Sequence, residues 1–252
     1  MSVSLPLDGT VTIVTGASRG IGEAIARAIV AAGGKVVLAS RKIESLEPIA
    51  RSLGDAAFAV AAHTGREAEC DALVDAAVKK FGKVDGLVNN AAANPYFGPL
   101  VDTDMGAWEK TFEVNVKGYF WMARGVIRHL QSRSAKGSIV SVASVAGLEA
   151  APMMGAYGMT KAAVLSMTKT LAVELGGQGI RVNAIAPGFV DTRFAAAVVQ
   201  NDSLLTEVKK KTPLGRVAAP EEIAGGVVFL LGNGASYLTG HTLVIDGGMT
   251  VS

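Results

Sequence analysis

The chain has 252 residues, half of them hydrophobic, with a mean hydropathy of +0.37. That is enough apolar material for one large α/β domain, and a net charge of +2 from 24 basic and 22 acidic residues argues against nucleic acid or an anionic membrane as partner. The N-terminal MSVSLPLDGT lacks the charged start and apolar run of a secretory leader, and no apolar stretch reaches the roughly 18 residues of a membrane span.

The first strand is predicted at 10–15, TVTIVT, and the first helix at IGEAIARAIVAAG. Between them, TGASRGIG sets Gly16, Gly20 and Gly22 where a backbone can turn tightly against a pyrophosphate and a helix N-terminus can face its charge. Ser18, Arg19 and Ile21 share that loop and are expected cofactor contacts. The second strand is KVVLAS, 35–40, and ends at Ser40 and Arg41. An unphosphorylated cofactor wants a carboxylate there for its ribose diol. Two guanidinium groups, Arg19 and Arg41, suit a 2′-phosphate instead, so NADP(H) is the expected cofactor.

A helix over IESLEPIARSLG leads to a third strand at 56–62, followed by His63 and Thr64. The next helix, REAECDALVDAAVKKFG, carries Cys70, the single cysteine, which excludes an internal disulfide and fits a reducing, cytoplasmic setting. A fourth strand at 84–90 runs into a loop, 91–104, and then one long helix near 104–133. A fifth strand at 137–144 precedes the helix AYGMTKAAVLSMTKTLAVELG, and a sixth at 180–187 precedes a long segment, 187–220. The helix PEEIAGGVVFLLG and a seventh strand at 241–247 complete the chain.

Most of these strands are continuously apolar, as parallel strands buried on both faces are. Their alternation with helices predicts a doubly wound parallel sheet with helices on both faces, in a single domain over 1–252. The loops 91–104 and 187–220 follow strand C-termini, where such sheets bind ligands. They supply Pro95, Tyr96, Phe97, Phe189 and Phe194, and with Leu148, Met153 and Met154 these make an apolar pocket for a ketone or aldehyde, with 187–220 as its lid. His63, His129 and His241 have no Cys or carboxylate at ligand spacing, so no metal site is expected.

Tyr157 and Lys161 lie four residues apart, on one face of a helix that follows the fifth strand. A phenol of ordinary pKa near 10 is a slow acid or base at neutral pH; an adjacent ammonium would lower that value. Ser144, at the end of the strand, can hydrogen-bond a substrate oxygen as charge develops on it.

Taken together, TGASRGIG, NNAA at 89–92, Asn115 in FEVNVKG, SVAS, YGMTK, NAIAPGFVDT and IDGG resemble the short-chain dehydrogenase/reductase family over essentially the whole chain. The resemblance implies a Rossmann-type sheet of seven parallel strands and reversible hydride transfer between a nicotinamide and a carbonyl carbon. It implies that Tyr157 donates and accepts the proton, Lys161 tunes it and holds the nicotinamide ribose, Ser144 steadies the carbonyl, and Asn115 holds a water linking Lys161 to solvent. Asn89 and Ala91 would pass close to the cofactor; Pro187, Gly188, Val190 and Thr192 would meet its carboxamide end. A homotetramer built partly from the long helices is implied too. Two positions depart from the pattern: His63 stands where an Asp commonly touches the adenine, and NNAA replaces NNAG.

AAHTGRE and NNAAANPYFG resemble most closely a subgroup of NADPH-dependent carbonyl reductases that includes animal peroxisomal retinal and ketone reductases. The ending GMTVS is not the peroxisomal S-K-L, and a cytoplasmic, bacterial protein is expected. Two other readings stay open: a 3-oxoacyl-carrier-protein reductase, docking through Arg128, Arg133 and Lys136, and a non-catalytic cofactor-binding sensor.

Overall fold

The computed structural model describes residues 7–195 and 201–252. Seven parallel strands form one sheet: β1 (Val11–Thr15), β2 (Lys35–Ser40), β3 (Ala57–Ala61), β4 (Gly86–Asn89), β5 (Gly137–Val142), β6 (Ile180–Pro187) and β7 (Thr242–Ile245), in the order β3-β2-β1-β4-β5-β6-β7. The helices are α1 (Gly20–Ala31), α2 (Glu47–Leu53), α3 (Glu67–Phe81), α4 (Met105–Phe112), α5 (Gly118–Ser132), α6 (Gly155–Leu175), α7 (Asp202–Lys211) and α8 (Pro220–Leu231). This is the Rossmann-type sheet that the alternation predicts.

The period-2 geometry of a strand divides the core between the two faces. Val14, Val88, Val140 and Ile185 join Ile25 and Ile29 of α1 and Ile223, Val227 and Leu230 of α8 on one side. Their chain neighbours Ile13, Leu87 and Ile139 join Leu73 of α3 and Met122, Val126 and Leu130 of α5 on the other. Burying each such aliphatic side chain contributes about 1.5–3 kcal/mol. Strand order reverses between β1 and β4, paired in the register Ile13↔Leu87. A crevice therefore opens at the carboxyl ends of β1, β4 and β5.

The expected helix over 104–133 is not one helix. Asp104 caps α4 by accepting the Ala107 N–H at 2.9 Å, and a π-helical turn over Glu113–Lys117 separates α4 from α5. The Gly118 N–H reaches back five residues to the Glu113 carbonyl, which widens the helix by one residue and rotates α5 relative to α4. Gly118 admits that course: a Cβ there would lie 2.8 Å from the Thr64 carbonyl oxygen.

Candidate active site

The glycine loop is packed too closely for side chains. Gly16 has φ +66°, and a Cβ on it would come within 2.9 Å of the Ala91 Cα; one on Gly22 would lie 2.3 Å from the Gly16 carbonyl oxygen. Gly20, with φ +55°, opens α1, and a Cβ on it would lie 3.2 Å from the Thr192 methyl. Loops 15–22, 89–93 and 187–192 thus meet around the α1 N-terminus, whose first amides have no intrahelical partner. That backbone cradle fits a dinucleotide's pyrophosphate.

Thr15 and Asn90 hold the cradle's shape, and neither is singled out by sequence. The Thr15 hydroxyl accepts the Asn90 and Ala91 amides at 2.9 and 3.1 Å. The Asn90 side chain donates to the Thr15 and Gly16 carbonyls at 2.9 and 3.2 Å. The Asn89 side chain donates to the Tyr119 carbonyl of α5 at 3.0 Å, which leaves Asn89 its backbone to offer a cofactor. In a parallel strand, successive side chains take opposite faces, so of the pair it is Asn90 that points at the glycine loop.

At the ribose end, Arg19 and Arg41 are exposed, and among the described residues neither has an ion pair. Ser40 is half-buried, and its hydroxyl is occupied by the next turn of the chain, donating to the Lys42 carbonyl at 3.1 Å. Ser18 and Ile21 flank the loop half-buried. His63 sits at the end of β3 with its ring engaged: Nδ1 accepts the Gly65 amide at 3.0 Å, and Nε2 lies 2.9 Å from the Lys110 ammonium. Burial first, then Lys110, holds its pKa below the ordinary value. Thr64 is buried, its carbonyl accepting from the Cys70 thiol at 3.2 Å.

Opposite the cradle stand the residues of the resemblance. Tyr157 and Lys161 rise from the first turns of α6, with 8% and 1% of their surfaces exposed. The Lys161 Nζ lies 5.5 Å from the Tyr157 ring centroid. Ser144, just after β5, caps a short turn by accepting the Ala146 amide at 3.1 Å, and its own proton remains free to donate. Burial pushes the Tyr157 phenol up to about 12, opposed by the neighbouring Ser144 hydroxyl. Burial outweighs the lowering expected from Lys161, whose ammonium makes its hydrogen bonds elsewhere. It donates to the Val142 carbonyl at 2.7 Å and to the Tyr119 hydroxyl at 3.1 Å. Burial also lowers Lys161 itself, to about 7.

Asn115 lies inside the π turn, fully buried. Its side chain accepts the Ala93 amide at 2.8 Å and donates to the Ala93 carbonyl at 2.9 Å and the Thr160 hydroxyl at 3.0 Å. Both amide protons are thereby used, and the side chain clasps the loop after β4 to α6. A water held by Asn115 would be held by its backbone or by the remaining lone pair of Oδ1.

The expected pocket residues surround this wall. The Phe194 ring lies 5.5 Å from that of Tyr157. The Gly98 amide donates to the Met153 carbonyl at 2.9 Å, tying the loop of Tyr96 and Phe97 to that of Leu148 and Met154. Tyr96 donates to the Pro99 carbonyl at 3.2 Å, and Pro95, Phe97 and Leu148 are exposed. Pro187 is buried, and a Cβ on Gly188 would meet the Asp246 backbone at 2.9 Å. The Val190 side chain belongs to the core around α1, while Phe189 and Asp191 make the backbone bonds to Ala218. Val190 therefore has its own backbone to offer a cofactor.

A glycine cradle at the strand-order reversal of a doubly wound sheet defines the dinucleotide-binding class of fold. Comparison with known proteins narrows it. A family model described as enoyl-(acyl carrier protein) reductase matches residues 16–250. The chain is 38% identical over 246 residues to the human protein named dehydrogenase/reductase SDR family member 4, covering 96% of this chain and 88% of the relative. The crystal structure of a gluconate 5-dehydrogenase from Burkholderia cenocepacia J2315, in complex with NADP and tartrate, superposes with a TM-score of 0.94 at 32% identity, covering 99% of this chain and 98% of that one. A 3-ketoacyl-(acyl-carrier-protein) reductase from Brucella melitensis, complexed with NADH, gives 0.92 at 36% identity, covering 97% and 99%. The chain belongs to the short-chain dehydrogenase/reductase family of oxidoreductases.

Proposed function

We propose that this protein is an NADP(H)-dependent oxidoreductase acting on a ketone or aldehyde, or on the corresponding secondary alcohol, with Tyr157 as general acid and base. The observation that carries this is the buried Tyr157–Lys161 pair, with Ser144 beside the phenol, facing the glycine cradle. When bound, the cofactor supplies or accepts the hydride. Ser144 then steadies the carbonyl oxygen, and the Tyr157 proton moves to that oxygen as the new C–H bond forms. Residues that would hold the cofactor are the amides of the cradle at its pyrophosphate, Arg19 and Arg41 at the ribose phosphate, and Lys161 at the nicotinamide ribose. Lys161 and a positively charged nicotinamide both favour the Tyr157 phenolate, offsetting the burial that raises its pKa.

The preference for NADP(H) rests on the two guanidinium groups, which have no ion pair among the described residues, and on the missing carboxylate after β2. The NADP complex of the Burkholderia relative supports it, whereas the Brucella relative was crystallised with NADH. The apolar pocket rests on Phe194 against Tyr157 and on the rim formed by Tyr96, Phe97, Leu148 and Met154. The segment 187–220 is read as its lid; within it, residues 196–200 lie outside the described residues.

The likeness to the Brucella reductase favours a second reading, a 3-oxoacyl-carrier-protein reductase. Of the basic surface this needs, Arg128 and Lys136 are exposed. Arg133 is spent on the Val84 carbonyl at 3.1 Å and Asp85 at 3.5 Å, and the Lys136 stem lies against Gly179. NADPH consumption measured side by side with a small apolar diketone and a 3-oxoacyl thioester separates the two readings. Faster turnover of the thioester overturns the first. Tyr157→Phe that leaves turnover intact refutes the role given to Tyr157, and a wild-type protein that binds NADPH but turns over neither substrate is a sensor.

No helix among the described residues is long and apolar enough to cross a membrane. A cytoplasmic homotetramer completes the proposal. Its supports are Phe120 and Val173, exposed on the outer faces of α5 and α6, and the inert Cys70, whose buried thiol is pushed up to about 12. Light scattering at micromolar concentration tests the assembly, and a monomer would refute it.

A further inference from the structure

We propose that Tyr119 is the positioning residue for Lys161: its buried hydroxyl, together with the Val142 carbonyl, holds the lysine ammonium so that its remaining N–H is left for the crevice. The inference rests on the reading of Lys161 given above and goes beyond it, because Tyr119 belongs to none of the motifs that carry the family resemblance.

Three elements make the geometry. Tyr119 lies in the first turn of α5, immediately after the π turn, and is 1% exposed. Its own carbonyl is pinned to the end of β4 by the Asn89 side chain at 3.0 Å. Its ring crosses to the end of β5, where the hydroxyl donates to the Val142 carbonyl at 3.0 Å. That donation spends the single phenolic proton, so toward Lys161 the oxygen can only accept. The Lys161 ammonium donates to this oxygen at 3.1 Å and to the same Val142 carbonyl at 2.7 Å. An ammonium has three N–H donors; two are committed and one is free. The Tyr119 ring centroid also lies 4.9 Å from Nζ, so the ring face attracts the cation that the hydroxyl orients.

The triangle also compensates the burial of a charge. The titratable groups facing Nζ are Tyr119 from α5 and Tyr157 from its own helix. Of the ionisable residues in the π turn packed against α6, Lys117 is exposed and Glu113 is directed to Lys110 at 3.2 Å and His63 at 4.0 Å. Among the described residues no carboxylate lies within ion-pair distance of Lys161. Two neutral acceptors therefore do what a counter-ion commonly does for a buried ammonium. Removing one disfavours the charged lysine and, through it, the Tyr157 phenolate.

The test is the pH profile of alcohol oxidation by Tyr119→Phe, which keeps the ring and removes the hydroxyl. The rate rises with pH as Tyr157 ionises. The apparent pKa of that rise is expected to move up by about one unit, the size of one hydrogen bond to a charged group. The substrate KM should stay within about twofold while kcat near neutral pH falls about tenfold, since the loss is of a protonation state rather than of binding. A purely structural Tyr119 would lower the melting temperature and leave the midpoint where it was, which overturns the proposal. Tyr119→Met repeats the test if the Phe variant does not fold, and failure of both to fold makes Tyr119 a packing residue and overturns it too. Tyr157→Phe run in parallel separates the two levels. If it stays active, the functional reading falls; if it is dead while Tyr119→Phe keeps the wild-type midpoint, only the role of Tyr119 falls.

Discussion

The two ends of the crevice are built on opposite principles. At the ribose end, Arg19 and Arg41 stand in solvent with no ion pair among the described residues. At the proposed nicotinamide end, Tyr119 and Lys161 are buried in one hydrogen-bonded knot with the Val142 carbonyl, and Tyr157 is buried beside them. Water screens the first pair, so each arginine acts almost independently and modestly. The second group has exchanged water for a few fixed partners, so its members are strongly perturbed and depend on one another. Cofactor choice should therefore be adjustable one residue at a time, and the chemistry should not.

Substitutions sharpen or break that contrast. The largest effect is expected from Tyr157→Phe, which should lower kcat/KM by at least about a thousandfold while NADPH binding, read by fluorescence titration, stays within about twofold. Comparable loss of both would make Tyr157 a structural residue.

Next is the stability of the protein without added cofactor. Lys161 is lowered from an ordinary value of 10.5 to about 7 in the fold. Between those values the unfolded chain binds the extra proton, so stability should rise with pH across that window. By pH 9 the gain is about 2–3 kcal/mol. Urea midpoints should show this slope in the wild type and lose it in Lys161→Met; equal slopes would mean that the lysine is not buried as a charge.

Arg41→Ala should weaken NADPH binding about tenfold and leave NADH within about twofold. Equal weakening of both would assign Arg41 a role away from the 2′-phosphate. The smallest effect is expected from Phe194→Ala, which should raise KM for a bulky apolar ketone several-fold with little change in kcat, as loss of uniform binding does. An unchanged KM would remove Phe194 from the pocket.

How far each part could be read in advance follows the same division. The strands, the glycine loop and the Tyr157–Lys161 pair are patterns within about twenty residues, so spacing alone exposes them. The division of 104–133 is not local in that sense. Its cause is the docking of Gly118 on Thr64 and of Asn115 on Ala93 and Thr160, and nothing in the helical periodicity marks the extra residue. Asn89 and Asn90 are adjacent and alike in sequence, but the strand sends one to α5 and the other to the glycine loop.

By itself, then, the sequence determined the class of sheet, the location of the cradle and the identity of the Tyr–Lys pair, because periodicity and short spacings are properties of neighbours in the chain. Tertiary structure alone decided that Lys161 meets Tyr119, 42 residues earlier, and that burial raises the phenol and lowers the ammonium. Those outcomes depend on which groups are shut away from water together, and that is fixed only when the sheet and its helices close around them.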